Sequence, residues 1–368
     1  MGQNLKPILA NFRIYGDFLS AQPYGSGHIN DTYCAVVNQG GSRVRYIVQR
    51  LNHNIFKNIP ALMENIRRVT EHVREKMKSF YSSDVSRRVM TLVPTLDNQS
   101  YYQDKEGHYW RVYVFIEKAL TYDTLTSTSQ AFEAAKAFGQ FQKMLADLPG
   151  GPLYDTIPDF HNGPKRLAAF KEALAADSQN RAIKATGEIR FLEDHAWVFD
   201  VLPEKFAKGE IPLRTTHNDT KINNVMLDEE TGEGVCVIDL DTVMPGLALY
   251  DFGDMVRTST TATAEDELDL SKVVMLKDRF ESLVRGYLSS AGGFLNHTEI
   301  DHLVFAGKLI TLIIGTRFLT DYLMGDQYFK IHRENHNLDR CRTQFRLVES
   351  ITEQEGDLNA MVQRIIAK

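Results

Sequence analysis

An acid, an amide and a second acid stand close together in the sequence with the spacing that phosphoryl transfer needs. Asp219 and Asn224 lie in residues 216–224, which have the form H-x-D-x-x-x-x-N, and Asp239 follows a short apolar run. In phosphoryl transfer one carboxylate orients the attacking hydroxyl and takes its proton, while an amide oxygen and another carboxylate hold Mg²⁺. In chain order, Asp219 fits the base, and Asn224 and Asp239 fit the metal ligands.

The residues between the amide and the second acid predict a hairpin. Residues 225–227 and 235–238 are strand-like, and the polar, glycine-containing residues 228–234 separate them. A tight hairpin brings the residue before its first strand close to the residue after its second, so we expect Asn224 and Asp239 to converge. The alternative is that Asp219 caps a turn and Asp239 ends a strand, as acids often do; the complete set favours the chemical interpretation.

A glycine-containing loop lies ahead of the first predicted strand pair. Gly25, Ser26 and Gly27 are followed by His28, and glycines let a backbone approach a phosphate closely with its N–H groups as donors. An ordinary turn is the alternative, but the position at the head of a sheet favours a phosphate loop. His28 either points to solvent or contacts a sugar or phosphate.

Composition is typical of a soluble globular protein and argues against several other classes. A chain of 368 residues exceeds one ordinary core, and the net charge of -6 argues against nucleic acid or an anionic membrane as partner. The three cysteines form no C-x-x-C motif, so neither zinc nor a disulfide framework is indicated. No signal-peptide core and no apolar run near the ~20 residues that span a bilayer is evident. We therefore expect a cytoplasmic protein without a membrane partner.

The distribution of elements predicts an α+β fold in two parts. Leu62, Ile66 and Val69 recur at helical spacing within a predicted helix at residues 60–80, and the chain is mostly helical from about residue 130. Strands are predicted at residues 33–37, 44–48, 88–93 and 110–116. The expected domains are an antiparallel-sheet N-lobe, residues 1–117, and a larger, mostly helical C-lobe, residues 118–368.

Taken together, these motifs resemble those of the aminoglycoside phosphotransferase and choline kinase-like family. The resemblance is carried by residues 23–30, 110–113, 115–117, 216–221, 238–242, 244–246, 251–254, 317–319, 321–323 and 328–329. It implies a bilobal protein-kinase-like fold that uses ATP and Mg²⁺. Residues 317–329 and the glycine loop are most similar to members that phosphorylate the anomeric hydroxyl of N-acetylhexosamine sugars. We expect the chain to act as a monomer.

The resemblance also assigns roles to individual residues. It makes Asp219 the catalytic base and Asn224 and Asp239 the Mg²⁺ ligands. It implies nucleotide contacts for Gly25, Ser26, Gly27, Gln49, Phe115 and Glu117. It implies sugar contacts for His28, Asp219, Arg317 and Tyr328. The chemistry agrees, because Arg offers forked donors and Tyr an aromatic face with a hydroxyl; the alternatives are a surface ion pair for Arg317 and a core position for Tyr328.

One residue departs from the pattern of most kinases of this fold. Gln49 stands where a third-strand lysine would pair with phosphates and a helix glutamate. Either Arg50 or another cation replaces that lysine, or Mg²⁺ carries more of the neutralisation, and Glu64 is a candidate partner on the next helix. These alternatives stay open on the sequence.

Three other functions fit the sequence less well than a sugar kinase. A kinase for choline, an amino alcohol or an aminoglycoside should have a strongly acidic acceptor site, whereas Arg317 and His28 favour a neutral sugar. A nucleotide-binding scaffold without activity is disfavoured, because Asp219, Asn224 and Asp239 are all present. A protein kinase is disfavoured because no A-P-E motif follows Asp239.

Overall fold

The chain divides into two compact units. The computed structural model describes residues 5–25, 29–81 and 83–367. The sheet unit comprises Met1–Ala119, Asp147–Pro158 and Val235–Met244. The helical unit comprises Leu120–Ala146, Asp159–Gly234 and Pro245–Lys368.

Strands dominate the first third of the chain and helices the remainder. The strands are β1 (Asp17–Pro23), β2 (Asp31–Gln39), β3 (Ser42–Leu51), β4 (Tyr102–Gln103), β5 (Tyr109–Val114), β6 (Ala119–Leu120), β7 (Arg214–Thr216), β8 (Val225–Asp228), β9 (Gly234–Val237) and β10 (Met244–Gly246). The α-helices are α1 (Lys6–Leu9), α2 (Ile59–Phe80), α3 (Val85–Arg88), α4 (Thr128–Leu145), α5 (Gly163–Ala176), α6 (Thr186–Asp194), α7 (Val198–Ala207), α8 (Ala248–Ser259), α9 (Lys277–Ala291), α10 (His297–Asp301), α11 (Leu303–Met324), α12 (His336–Glu353) and α13 (Glu355–Ile366). The predicted α+β class, with an antiparallel N-terminal sheet and a mostly helical C-terminal part, is confirmed.

An antiparallel sheet in the order β1-β2-β3-β5-β4 forms the sheet unit. Its register places Gln49 of β3 opposite Thr32 on one side and Arg111 of β5 on the other. Val48 and Val112 are fully buried, because alternate residues of a strand face the same side and these two face the apolar core. Gln49 and Arg111 therefore point to the opposite face of the sheet.

Helix α2 is the predicted helix of the sheet unit, and the prediction is confirmed. The side chain of Asn58 caps it by accepting from Ala61 N at 3.1 Å, which satisfies a backbone donor that has no partner within the helix. Asn65 is fully buried on this helix, and its Nδ2 donates to Tyr154 O at 2.8 Å and Val243 O at 3.1 Å. One helix residue thus holds two distant stretches of chain in the sheet unit.

Two features of the sheet differ from the sequence-based expectation. The strand predicted at residues 88–93 is wrong: Arg88 ends α3, and Leu92 forms only an isolated bridge with Tyr113. Strand β1 was not predicted, because it lacks a regular alternation of apolar and polar residues. Leu19 is 47% exposed at a register irregularity between Phe18 and Ser20, and the strand is defined by its pairing with β2.

A long apolar helix lies at the core of the helical unit. Helix α11 is long and apolar enough to cross a membrane by length and composition, yet 83% of its most apolar window is buried inside the fold. It packs against α5, α8 and α12. Close approach of α8 depends on Gly253, because a Cβ there would collide with Ala306 O. The helix is accounted for as a core element.

Candidate active site

The backbone of the loop that carries Asp219 is hydrogen-bonded to one buried carboxylate, that of Asp251. Asp251, at the start of α8, accepts His217 N at 2.9 Å through Oδ2 and Asn218 N at 2.6 Å through Oδ1. Its backbone oxygen accepts the Thr220 hydroxyl at 2.6 Å. Asn218 has a positive φ of 65°, a conformation that a non-glycine residue keeps only when its surroundings fix it. These bonds fix the backbone on both sides of Asp219.

Asp251 is itself tied to two further helices. Gln142 of α4 donates to Asp251 Oδ2 at 2.5 Å, and the Tyr287 hydroxyl of α9 donates to Gln142 Oε1 at 2.5 Å. Burial raises the pKa of Asp251, and the backbone and Gln142 donors oppose that rise. Three helices of the helical unit therefore contribute to the position of one loop.

His161 also supports this loop, and the sequence analysis did not single it out. Its Nε2 lies 2.9 Å from Asn218 O, and burial lowers its pKa to about 4. At neutral pH the ring is therefore uncharged and donates from Nε2 to the carbonyl oxygen. No periodicity or motif marks this role, because a lone histidine after an aromatic residue gives no indication of what it contacts.

Asp219 has the surroundings of an ionised base. Lys221 Nζ lies 3.1 Å from its Oδ2, and Asn224 Nδ2 donates to Asp219 O at 2.7 Å and to Oδ2 at 3.0 Å. Burial would raise the pKa of Asp219, but its neighbours, the Lys221 ammonium above all, outweigh burial and lower the pKa below the ordinary value. The side chain keeps 24% of its surface exposed, so a substrate can reach it.

Asn224 presents an oxygen that suits a hard cation. The two hydrogen bonds from the Asn224 side chain to Asp219 both use Nδ2, so the carboxamide oxygen Oδ1 takes no part in that contact. Amide and carboxylate oxygens are the ligands that Mg²⁺ prefers. The turn of the predicted hairpin is present, with Asp228 N donating to Glu233 O at 2.9 Å. Asn224 belongs to the helical unit and Asp239 to the sheet unit, and their convergence stays a prediction.

Arg317 and Tyr328 are brought together in the helical unit. Arg317 Nη2 lies 3.4 Å from the Tyr328 hydroxyl, and the guanidinium carbon lies 5.0 to 5.5 Å from the ring centres of Phe160, Tyr328 and Phe329. Within the described part of the chain Arg317 forms no ion pair, so the surface-pair alternative is excluded. Tyr328 is 52% exposed, which excludes the core alternative. The two side chains form a polar and aromatic surface.

The loop that presents Tyr328 is fixed by a buried acid at the end of α11. Asp321 accepts the backbone N–H groups of Gln327 and Tyr328 at 2.8 Å and of Phe329 at 3.0 Å. Asn337 Nδ2 of α12 donates to the same carboxylate at 2.9 Å. The sequence analysis included Asp321 in a matching segment but assigned it no role.

The candidate nucleotide residues of the sheet unit form an aromatic and charged group. Gly25 has a positive φ of 79°, as expected for a tight turn, whereas Ser26, Gly27 and His28 lie outside the described residues. The Arg45 guanidinium carbon lies 3.8 Å above the Phe115 ring, and Arg45 forms an ion pair with Glu117. Tyr24 meets Phe115 edge-on with ring centres 5.6 Å apart. Flat rings beside a glycine turn suit a nucleoside.

The side-chain contacts of Gln49 show which cation lies beside it, at the position where other kinases of this fold have a lysine. Its Nε2 donates to Thr32 Oγ1 at 3.0 Å, and its Oε1 accepts Arg111 Nε at 2.9 Å. Arg50 instead pairs with Asp31 at 2.5 Å near the surface. The cation beside Gln49 is therefore Arg111, which the sequence analysis did not name.

Glu64 does not occupy the position of the glutamate partner. It pairs with Arg67 one turn away on α2, at 2.8 Å. Both side chains of that pair are more than a third exposed, so the pair contributes little to stability. The suggested partnership of Glu64 with the third strand is wrong.

Asp239 starts a short turn that carries a second acid. It has a left-handed backbone with φ 58° and ψ 58° and precedes the 3₁₀ turn Leu240–Thr242. Within that turn Asp241 Oδ1 accepts Arg111 Nη1 at 2.5 Å, and Oδ2 accepts Asn30 Nδ2 at 2.6 Å. Burial alone would lower the pKa of Arg111, but the neighbouring Asp241 raises it, so Arg111 stays charged.

Known proteins match both the sequence and the architecture. The sequence model of the phosphotransferase enzyme family matches residues 20–273, more than half of the chain. Choline kinase from Cryptosporidium parvum Iowa II superposes with a TM-score of 0.58 at 14% identity, covering 98% of this chain and 96% of that one. An aminoglycoside phosphotransferase from Alicyclobacillus acidocaldarius subsp. acidocaldarius DSM 446 gives 0.57 at 12% identity, covering 97% and 95%. A microcompartment-associated aminopropanol kinase gives 0.56 at 14% identity, covering 96% and 97%.

At these identities the superpositions establish the fold, and the sequence model establishes the family. The expected kinase-like architecture is confirmed by neighbours that cover nearly the whole chain. The motif around Asp219 lies inside the matched residues, whereas Arg317 and Tyr328 lie beyond them. The chain belongs to the phosphotransferase enzyme family.

Proposed function

We propose that the protein is an N-acetylhexosamine 1-kinase, which transfers the γ-phosphoryl group of ATP to the C1 hydroxyl of N-acetylglucosamine or N-acetylgalactosamine. The observation that carries the acceptor assignment is the Arg317–Tyr328 contact of 3.4 Å, with aromatic rings beside it. Forked N–H donors next to aromatic faces suit a neutral sugar ring. The proposal includes a monomer that works in the cytoplasm.

Asp219 is the proposed base for the C1 hydroxyl. Its lowered pKa keeps it ionised at neutral pH, and a carboxylate can accept the proton as the hydroxyl attacks the phosphorus. An anomeric hydroxyl is more acidic than an ordinary alcohol, so a weak base suffices. Asp219, His28, Arg317 and Tyr328 together are the proposed sugar contacts.

Nucleotide and metal binding are assigned to the remaining residues. The proposed nucleotide contacts are Gly25, Ser26, Gly27, Gln49, Phe115 and Glu117. Asn224 Oδ1 and the Asp239 carboxylate are the proposed Mg²⁺ ligands. When bound, Mg²⁺ neutralises phosphate charge and keeps the phosphoryl group in line with the acceptor.

A kinase for a cationic acceptor is the alternative function. Choline and amino alcohols carry a positive charge, which would be repelled by Arg317. Burial lowers the pKa of the nearby Arg166 to about 10, and the charge of Arg317 contributes to this decrease. Two guanidinium groups at the proposed acceptor surface favour an uncharged acceptor.

A panel of acceptors tests the proposal directly. Purified protein with Mg-ATP is incubated with N-acetylglucosamine, N-acetylgalactosamine, glucose, choline, ethanolamine, 1-aminopropan-2-ol and spectinomycin, and ADP release is measured. Phosphate on C1 of an N-acetylhexosamine, located by ³¹P–¹H NMR, supports the proposal. Turnover confined to a cationic acceptor overturns it in favour of the alternative.

Variants of the acceptor surface localise the sugar site. Arg317→Ala and Tyr328→Ala should raise the sugar KM far more than the ATP KM. The loss of a hydrogen bond from a charged donor costs about 1.5–3 kcal/mol, against about 0.5–1.5 kcal/mol for a neutral one, so Arg317→Ala should be roughly tenfold worse in kcat/KM. Arg190→Ala, whose side chain is 86% exposed, is the matched control. A defect confined to the ATP KM would assign Arg317 to the phosphate site instead.

A further inference from the structure

The position of the missing lysine is occupied by a hydrogen-bonded row of side chains. Thr32 on β2, Gln49 on β3 and Arg111 on β5 lie side by side across the sheet. Both polar atoms of the Gln49 carboxamide have partners, with Thr32 Oγ1 at 3.0 Å and Arg111 Nε at 2.9 Å. Gln49 therefore orients Arg111 in addition to any contact with nucleotide.

Arg111 is too deeply buried to reach a phosphate. It is 1% exposed, and its Nη1 contacts Asp241 Oδ1 at 2.5 Å and the Met63 sulfur at 3.9 Å. A charge removed from water in this way requires a paired partner. Its charged partner is Asp241, which lies two residues after the proposed metal ligand Asp239.

Asp241 connects Arg111 to the proposed metal ligand. Both of its carboxylate oxygens are used, one by Arg111 and the other by Asn30 Nδ2 at 2.6 Å. Asp241 lies two residues after Asp239, in the 3₁₀ turn that Asp239 begins with its left-handed backbone. A non-glycine residue keeps that backbone only when its neighbours hold it. Asp241, fixed at both carboxylate oxygens, anchors the turn that directly follows Asp239.

We propose that Arg111 is a positioning residue that, through Asp241, holds Asp239 in the backbone conformation that binds Mg²⁺. Gln49 and Asn30 keep the Arg111–Asp241 pair in register. In this chain a buried arginine on the fifth strand thus supports the metal ligand, where other kinases of the fold use a lysine on the third strand that contacts phosphate. The inference rests on the metal assignment of the proposed function and is independent of the acceptor.

The test measures nucleotide binding as a function of Mg²⁺, without any acceptor. ADP binding is followed by isothermal titration calorimetry over a series of Mg²⁺ concentrations, and without Mg²⁺. Arg111→Lys keeps the charge but loses the fork that joins Gln49 to Asp241, and Asp241→Asn keeps the shape but loses the charge. We expect the half-saturating Mg²⁺ concentration to rise about 10–100-fold in both, as for other partners of metal ligands. Affinity for metal-free ADP should change less than about twofold.

A double variant and a matched control complete the design. Arg111→Met with Asp241→Leu removes both charges, a change that often leaves stability intact. The double variant should show the same rise in the half-saturating Mg²⁺ concentration even where a single variant fails to fold. Arg50→Gln removes the exposed arginine next to Gln49 and should behave as wild type.

Two results would overturn the inference. One is wild-type Mg²⁺ dependence in every folded variant at positions 111 and 241. The other is an equal loss of ADP affinity with and without Mg²⁺, which would make the pair merely structural. Because no acceptor is present, a wrong sugar assignment leaves these results unchanged, and a failed acceptor panel does not affect them.

Discussion

Asp219 is an acid that its neighbours keep ionised. Because its pKa is lowered, the carboxylate is present above the ordinary Asp pKa and is lost only as the pH falls through the lower, folded-state value. The catalytic rate should therefore have no acid limb from Asp219 near neutral pH. A fall in kcat between pH 7 and about 5 that is absent from Asp219→Asn would contradict the lowered pKa of Asp219.

Asp219→Asn should lower kcat by about 10²–10⁴-fold, because it removes the proton acceptor at nearly constant shape. The affinity for Mg·ADP, measured by calorimetry, should stay close to wild type. Asp200→Asn, on the exposed face of α7, is the control. Near-normal turnover of Asp219→Asn would remove Asp219 from the catalytic role.

His161→Gln should flatten the acid dependence of stability. The folded-state pKa of about 4 lies below the ordinary histidine value, so the unfolded chain binds the proton first as the pH falls. Stability should be undiminished above about pH 6.5, fall from there to about pH 4 by about 3 kcal/mol, and level off below. Gln lacks the titrating ring and can still donate to Asn218 O. Urea unfolding of wild type and variant across this range measures the difference.

The control for His161 is His297→Gln, which changes an exposed histidine at the start of α10. Its unfolding free energy should follow the wild-type pH dependence. Parallel profiles for wild type and His161→Gln would show that burial of His161 does not contribute to acid destabilisation.

At the scale of elements, the loop that follows α11 is attached to that helix by the carboxylate of Asp321. Asp321 is 4% exposed and accepts three backbone N–H groups of the loop that carries Tyr328. Asp321→Ala leaves these donors without their partner, at about 1–3 kcal/mol for each that stays buried. The melting temperature should fall, and the acceptor KM should rise with little change in the ATP KM.

Steady-state kinetics and thermal unfolding check the Asp321 prediction together. Asp301→Ala, an exposed acid at the end of α10, should change neither measurement. A lower melting temperature with an unchanged acceptor KM would mean that the loop does not position Tyr328 for substrate.

Elements defined by local sequence could be predicted, and elements defined by pairing could not. Helix α2 has an amide cap and buried residues at helical spacing, both of which can be recognised without tertiary contacts. The conformation of β1 depends on its pairing with β2, and that of residues 88–93 depends on how far they pair with β5. Propensity favours a strand at residues 88–93 as it does at β5, yet only the isolated bridge of Leu92 with Tyr113 forms there.

The same distinction applies to the candidate site. Asp219 and Asn224 are five residues apart and their contact follows from the motif. Arg111 is 62 residues from Gln49 and 130 from Asp241, and only the assembled sheet makes the three adjacent. Sequence reasoning therefore indicated that a cation was missing but had no means of identifying Arg111 as the one beside Gln49.

At the scale of the whole molecule, ligand binding should appear as stability. A ligand that binds only the folded protein stabilises it by about 2.7 kcal/mol at 100 times its Kd, so Mg·ADP should raise the melting temperature. Asp239→Ala should lose the Mg²⁺-dependent part of this increase, while Asp17→Ala, on the exposed edge of β1, should keep it. An undiminished increase in Asp239→Ala would make Asp239 an ordinary strand-end acid.

The sheet unit is assembled from three separate stretches of chain, and this determines when it can fold during synthesis. When Ala119 has been made, Arg111 still lacks Asp241 and Asn65 still lacks the carbonyl of Val243. At about 5–20 residues per second, the ribosome needs on the order of ten seconds more to supply them. The N-terminal sheet, although made first, cannot be completed until Met244 has emerged. Until then Arg111 has no Asp241 to pair with, and burying it in the nascent sheet would be energetically unfavourable.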